Sequence, residues 1–371
     1  MSRFRLFNFI RPGKMLHGIR ERGLAGAVTH GVRRAGAFSN RALVGPYLLR
    51  INPMGYVCNH ACPMCWLQHL KPAELKEEKK RDRREGMRLD EYVRLLDAMP
   101  LGFEEVNIVG GGEPLIHPDI VGIMREVKRR GKRGFLITNG TLLKEDIARD
   151  MVEMGWDVTR ASVHAADEET HNQIHGVKAK FETLRRNLQN FVRLRREAGA
   201  RRQCQLLILN VLQRENIGRI DRLFAFAEDV GADRIVFEKV IPYHDEMILG
   251  AAELRRAVEQ LTQCAGRSSV PCNLDEIVPQ LRVEQARAEN GRPWTPARHC
   301  SVGFDQAFIT ADGEVRPCCF SDEPMGNLRE QSFGEIWKDK AYKDFRDRLI
   351  NGRFADYCII NHCTMKGVLH H

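Results

Sequence analysis

The chain has no apolar run of 18 residues, the length a helix needs to cross a bilayer, and its first residues lack the charged, apolar and small-residue series of an export signal. Neither a membrane span nor secretion is expected, which points to the cytoplasm. Acids are nearly missing from one region: residues 1 to 50 hold ten Lys or Arg and a single acid, Glu21, whereas the remainder carries 48 residues of each sign. The net charge of +9 therefore belongs to the N-terminal segment, where Phe4, Phe7, Ile10 and Leu16 interleave with Arg3, Arg5, Arg11 and Lys14. Such a mixture suits peripheral contact of residues 1–45 with an anionic membrane, and nucleic acid less well. It equally describes an extension that packs its apolar side on the main domain. Also absent is the even spread of cysteines that a disulfide framework would show. Eight of the eleven fall into two groups, and Cys204, Cys264 and Cys272 stand apart as ordinary thiols.

At 371 residues and 43% hydrophobic, the chain can bury one large core and a smaller appendage. From residue 47 strand candidates recur: YLLRIN (47–52), EEVNIVG (104–110), RGFLITNG (133–140), DVTRASVH (157–164), QCQLLILNV (203–211) and RIVFEKV (234–240). Between them lie stretches of helical period that end at or near glycine, such as PDIVGIMREVKRRG and FETLRRNLQNFVRLRREAG. This alternation predicts an α/β fold with a parallel sheet and a ligand site at the strands' C-terminal ends. The charge-dense stretch 71–91 reads as a solvated loop and helix start. The expected organisation is a basic amphipathic extension (1–46), the strand-helix domain (47–245), a helical bridge (246–297) and a cysteine-rich C-terminal domain (298–371).

The stretch CNHACPMC places Cys58, Cys62 and Cys65 directly after the first strand. Three thiolates can hold three irons of a four-iron, four-sulfur cubane and leave the fourth iron open to an outside ligand. Zinc completed by His60 or His69 is the competing reading. The C-x3-C-x2-C spacing in this position resembles the radical S-adenosylmethionine superfamily, and the likeness spans about residues 47–245. The resemblance implies a partial (β/α)6 barrel whose cluster binds S-adenosylmethionine and reduces it to a 5'-deoxyadenosyl radical that takes hydrogen from an unactivated C–H bond. Met64 departs slightly from the pattern, because an aromatic residue is common there. GGGEP (110–114) after the second strand is similar to the family's GGEP motif, which implies cofactor contacts from Gly111, Gly112 and Glu113. SVHAADEETHNQIHG after the fourth strand is similar to a further family stretch. It makes Ser162 a candidate for the cofactor's carboxylate or ribose and puts His164 where aspartate is common. Asn210, near the end of the fifth strand, is a candidate ribose contact. For both Ser162 and Asn210 a structural hydrogen bond at a strand end is the alternative.

The tail offers a second site. QAFIT, ADGE and EVRPC form a hairpin pattern expected to bring Cys300 and Cys318 together, and a helix from about Phe333 to Leu349 then leads back to Cys358 and Cys363. With Gly313, the GN at 326–327 and the IW at 336–337, residues 298–363 resemble the SPASM domain in its shortened, one-cluster form, also called twitch. The resemblance implies an α+β unit with an auxiliary four-iron, four-sulfur cluster on Cys300, Cys318, Cys358 and Cys363, beyond the barrel's open end, with Cys319 spare. Zinc is again the competing metal. A fully ligated cluster has no place for substrate, so a net oxidation is expected in which this cluster accepts an electron. The expected partners are a small-molecule, sugar or lipid-linked substrate and a one-electron donor such as flavodoxin or ferredoxin. The alternatives are a maturase of a ribosomally made peptide, an RNA-modifying enzyme of the same superfamily, and a zinc or iron-sulfur protein without activity. Candidate proton carriers at strand ends are His164, Glu238, Lys239, Tyr243 and His244, and the catalytic base is left unassigned.

Overall fold

The structure is a computed structural model that describes residues 28–33, 35–36, 42–178, 180–199, 204–242, 245–291, 300–356 and 358. Six strands form where alternating hydrophobicity predicts them: β1 (Leu48–Ile51), β2 (Glu105–Ile108), β3 (Arg133–Thr138), β4 (Val158–Ser162), β5 (Gln205–Leu212) and β6 (Arg234–Lys239). All five neighbouring pairs among them are parallel. The sheet stays open. Its order is β6-β5-β4-β3-β2-β1-β7-β8-β9, so β1 meets a strand from the C-terminal unit instead of closing on β6.

The period of two sorts the side chains. On β5, Leu206, Ile208 and Leu212 are fully buried beneath the helices, while Leu207 and Val211 on the inner face are half-buried. The covering helices in chain order are α1 (Pro72–Glu85), α2 (Leu89–Asp97), α3 (Ile120–Arg129), α4 (Glu145–Glu153), α5 (Glu168–His175), α6 (Phe181–Glu197) and α7 (Ile220–Asp229). Two longer ones follow, α8 (Ala251–Ala265) and α9 (Leu274–Asn290). One expectation changes here, since residues 72–85 are helical and not loop. Pro72 opens the helix, Glu77–Lys80 and Glu78–Arg81 pairs at 2.7 and 2.5 Å line its surface, and buried Asp82 docks it by accepting the Tyr56 N–H at 2.6 Å.

The C-terminal unit extends the same sheet. After the short α10 (Val302–Asp305), β7 (Gln306–Ile309) runs parallel to β1, and β8 (Glu314–Arg316) and β9 (Gly326–Asn327) add antiparallel, so the expected hairpin is present. The single expected helix is two, α11 (Phe333–Lys338) and α12 (Lys340–Ile350), broken at Asp339, whose carboxylate caps α12 by accepting the Lys340 N–H at 2.6 Å. Arg346 is buried among Trp337, Tyr342 and Phe304 and donates to the Gly303 and Trp337 carbonyls at 2.7 and 2.9 Å. Trp337 in turn donates to Val44 O at 3.1 Å, which ties the unit to the main domain.

Most of the N-terminal extension lies outside the described residues. In the part that is described, helical residues 28–33 place the buried Arg33 guanidinium on Gly102 O at 2.8 Å and Gly45 O at 3.2 Å. This portion packs on the domain. No helix among the described residues is long and apolar enough to cross a membrane.

Candidate functional site

The loop after β1 is tied at each end and in its middle. Glu113 N donates to Val57 O at 2.9 Å, Ala61 N donates to His175 O at 3.1 Å, and Asn59 bridges Asn139 and Thr141 beyond β3 at 2.8 and 2.9 Å. Cys58, Cys62 and Cys65 hang from this loop, partly buried, on the wall of a cavity of about 290 Å³ at the C-terminal ends of the strands. The His60 N–H points at Cys58 Sγ at 3.4 Å, an arrangement that favours a thiolate. Burial works the other way. It pushes the Cys58 thiol up to about 11 and raises Cys62 and Cys65 as well. Protons therefore leave these sulfurs when a cation takes their place, as at a metal centre.

Glycines bring the second loop against the first. A Cβ on Gly112 would sit 2.1 Å from Val57 O, and one on Gly111 would sit 2.6 Å from the Trp66 ring and 2.7 Å from Gly55 O. Glu113 is buried, and its carboxylate already accepts the Thr138 hydroxyl at 2.6 Å, the Asn139 N–H at 2.8 Å and the Leu115 N–H at 3.0 Å. It joins the loop after β2 to the end of β3. Burial raises its pKa, and the three donors oppose that shift. Ser162 lines the cavity at the end of β4.

Asn210 is placed elsewhere. It shares the parity of Leu206, Ile208 and Leu212 on the helix-facing side, is fully buried, and is not on the cavity wall. Its amide nitrogen and oxygen both lack partners among the described residues. Three of the candidate proton carriers are engaged. His164, at φ +58°, turns its Nδ1 to accept the Val211 N–H at 3.0 Å, Glu238 pairs with Arg160 at 3.0 Å, and Lys239 pairs with Glu284 at 2.6 Å. Tyr243 and His244 lie outside the described residues.

Sequence reasoning did not bring together an imidazole cluster behind Cys62. His175 donates its Nε2–H to Val163 O at 2.8 Å, so the neutral ring offers bare Nδ1 to the His60 Nδ1–H at 3.2 Å and to Cys62 Sγ at 3.5 Å. His171 stacks on His175 with centroids 4.3 Å apart, and burial lowers His60 and His171 to about 3 and His175 to about 4. The ligand atoms of His60, Cys62 and His175 all lie within 4.8 Å of one another, so this trio also suits a small cation. The i, i+4 spacing of His171 and His175 was the available signal.

The second cysteine group is assembled from distant elements. Cys318 follows β8 and is buried, Cys319 beside it is exposed, and Cys300 and Cys358 are partly buried. Cys363 lies outside the described residues. The expected position needs correction. The β7–β8 register pairs Phe308 with Arg316, so its continuation sets Cys318 opposite Gln306, and Gln306 lies beside Leu48 at the start of β1. Cys318 therefore belongs to the N-terminal end of the sheet, opposite the mouth that carries Cys58, because β7 joins β1 in parallel. One strand of about 3.3 Å per residue separates the two levels.

Residues 52–226 match the family described as the Radical SAM superfamily, and residues 300–364 match SPASM, an iron-sulfur cluster-binding domain. An AdoMet-dependent heme synthase of Oleidesulfovibrio alaskensis is 26% identical over 307 residues, covering 78% of this chain and 74% of that protein. A PqqA peptide cyclase of Gluconobacter oxydans is 26% identical over 317 residues, covering 80% of this chain and 77% of that protein. Among solved structures, Streptococcus suis SuiB bound to its precursor peptide SuiA has a TM-score of 0.62 at 19% identity, covering 87% of this chain and 71% of that one, which is a likeness of fold.

Proposed function

The chain belongs to the radical S-adenosylmethionine superfamily, as an enzyme with a SPASM domain at its C-terminal end, and from that premise we infer that it carries out a net oxidation of a compact substrate held at the mouth of the sheet beside its first cysteine site. Its cofactors are S-adenosylmethionine and four-iron, four-sulfur clusters. In this reading Cys58, Cys62 and Cys65 hold the cluster at the mouth of the sheet, and Cys300, Cys318, Cys358 and Cys363 hold the second. When bound, the first cluster would supply one electron to cleave S-adenosylmethionine into methionine and a 5'-deoxyadenosyl radical able to take a hydrogen atom from substrate, and the second would take up the electron left when the substrate also loses a proton to solvent.

The observation that carries the reading is the shared cavity, where three pinned thiols face the Gly110–Glu113 turn and Ser162 across about 290 Å³. Gly111 and Gly112 let backbone amides approach the methionine end of the cofactor, and Ser162 offers a hydroxyl to its carboxylate or ribose. Glu113 holds the turn in place. Asn210 has no part here, since it lies on the helix-facing side.

A compact substrate, as implied by the heme synthase relative, is favoured over a peptide added as a strand. The outer edge of β6 is already occupied: Ile235 N donates to Pro271 O at 3.0 Å, and Asn273 exchanges hydrogen bonds of 2.8 and 2.9 Å with Phe237 N and O. The peptide reading keeps the support of the peptide cyclase relative. The apolar and basic residues of segment 1–45 support peripheral contact with an anionic membrane. Loss of vesicle binding on deleting 1–45 is the expected result, and binding that survives the deletion removes that contact.

The experiment is direct. Reconstituted anaerobically and reduced with dithionite, the protein should release 5'-deoxyadenosine from S-adenosylmethionine, and Cys62→Ala should not. Equal release by both proteins would sink the reading.

A further inference from the structure

A groove of about 530 Å³ lies beside the cofactor cavity, between the turn Trp66–His69 and helix α1. Lys76, Lys79, Lys80 and Arg83 line it, spaced three and four apart so that they share one helical face. Lys80 has Glu77 at 2.7 Å, whereas no acid pairs with Lys76, Lys79 or Arg83 among the described residues. Like charges at this spacing disfavour the helix that bears them, so helix stability does not account for the arrangement. The flank of α1 next to this face is anchored. Buried Asp82 accepts the N–H of Tyr56, two residues before Cys58, and a Cβ on Gly55 would meet its carboxylate at 2.2 Å.

The groove wall is tied to the mouth of the sheet, because Gln68 on that wall is three residues beyond Cys65 and donates its backbone N–H to Cys65 O at 2.9 Å. Resting on the reading above, which requires one electron to reach the cluster from outside, we propose that this groove is the docking surface for an acidic one-electron carrier protein. One electron leaves the reduced carrier and arrives at the cluster, with no bond made or broken. The unpaired cations steer the encounter and fix its orientation, and the short path through Gln68 and Cys65 sets the point of entry.

The test compares two reductants on one protein. Release of 5'-deoxyadenosine is driven either by limiting reduced flavodoxin, an acidic carrier, or by dithionite, and the ratio of the two rates cancels differences in cluster loading. The triple variant Lys76→Glu/Lys79→Glu/Arg83→Glu should lower that ratio about tenfold at low salt, and the wild-type ratio should fall as salt is added. Lys76→Glu/Arg83→Glu, which keeps Lys79, should lower it in the same direction. A ratio unchanged in both variants overturns the proposal. Wild-type protein that releases nothing with dithionite instead brings down the underlying enzyme reading.

Discussion

Cys58, Cys62 and Cys65 hang on one loop tied by backbone hydrogen bonds to the next loop and to α5, whereas Cys300, Cys318 and Cys358 come from three separate elements joined by a hairpin and a buried arginine. The first site is local and its spacing is readable in the chain. The second exists only once β7 has paired with β1 and Arg346 has drawn α10, α11 and α12 together. A site of the first kind should fail through its own residues. A site of the second kind should also fail through residues far from the cysteines.

The largest expected effect separates the two clusters. Cys62→Ala should reduce the iron of the reconstituted protein from about eight atoms to about four and abolish 5'-deoxyadenosine release. Cys318→Ser should remove a similar amount of iron and leave that release intact, while Cys319→Ser should change neither. Iron analysis and product assay of the three variants check this, and loss of release in Cys318→Ser would erase the distinction. Next comes Gly112→Ala, whose methyl would lie 2.1 Å from Val57 O. Overpacking of this kind costs about 1–3 kcal/mol and here should empty the first site, whereas Gly334→Ala, with nothing within 4 Å, should leave thermal stability and iron unchanged.

Arg346→Met should do at a distance what no change near the first site does. It leaves the Gly303 and Trp337 carbonyls without a donor, at about 1–3 kcal/mol each. Iron should be lost from the second site only, so that the variant keeps about four irons and still releases 5'-deoxyadenosine. Loss from both sites would show that the two are not independent.

The smallest effect concerns Asp82, which anchors the first loop. Burial raises its pKa to about 6 from a usual value near 3.8. A carboxyl that binds its proton more tightly when folded costs no stability below the unfolded value, and the cost appears as pH rises through about 6. Asn in its place keeps an acceptor for the Tyr56 N–H. Asp82→Asn should therefore raise the melting temperature at pH 8 and leave it unchanged near pH 4, and a gain at both would contradict the assignment.

The six parallel strands are legible because their inner and outer faces alternate over four to eight residues, and the cysteine triad because its ligands are neighbours in sequence. What was not legible depends on partners far along the chain. Asn210 sits at the end of a well-patterned strand, but only the pairing with β6 reveals that it faces the helices. The level of Cys318 follows from β7 running parallel to β1, a pairing of segments about 250 residues apart that no local pattern encodes. His60 and His175 meet because Gly176 lets α5 end against Ala61, where a Cβ would lie 2.2 Å from the carbonyl oxygen. Helix α1 is not legible, since its composition is that of a solvated loop and its one buried residue, the acid Asp82, makes no apolar pattern.

The central claim is that the triad leaves one iron free for a sulfonium cofactor. The electron paramagnetic resonance spectrum of anaerobically reduced Cys318→Ser protein, in which the first cluster alone reports, tests it most directly. The account predicts that S-adenosylmethionine changes the signal and that Cys62→Ala in the same background has none. A spectrum indifferent to S-adenosylmethionine, or zinc in place of iron at the triad, would contradict it.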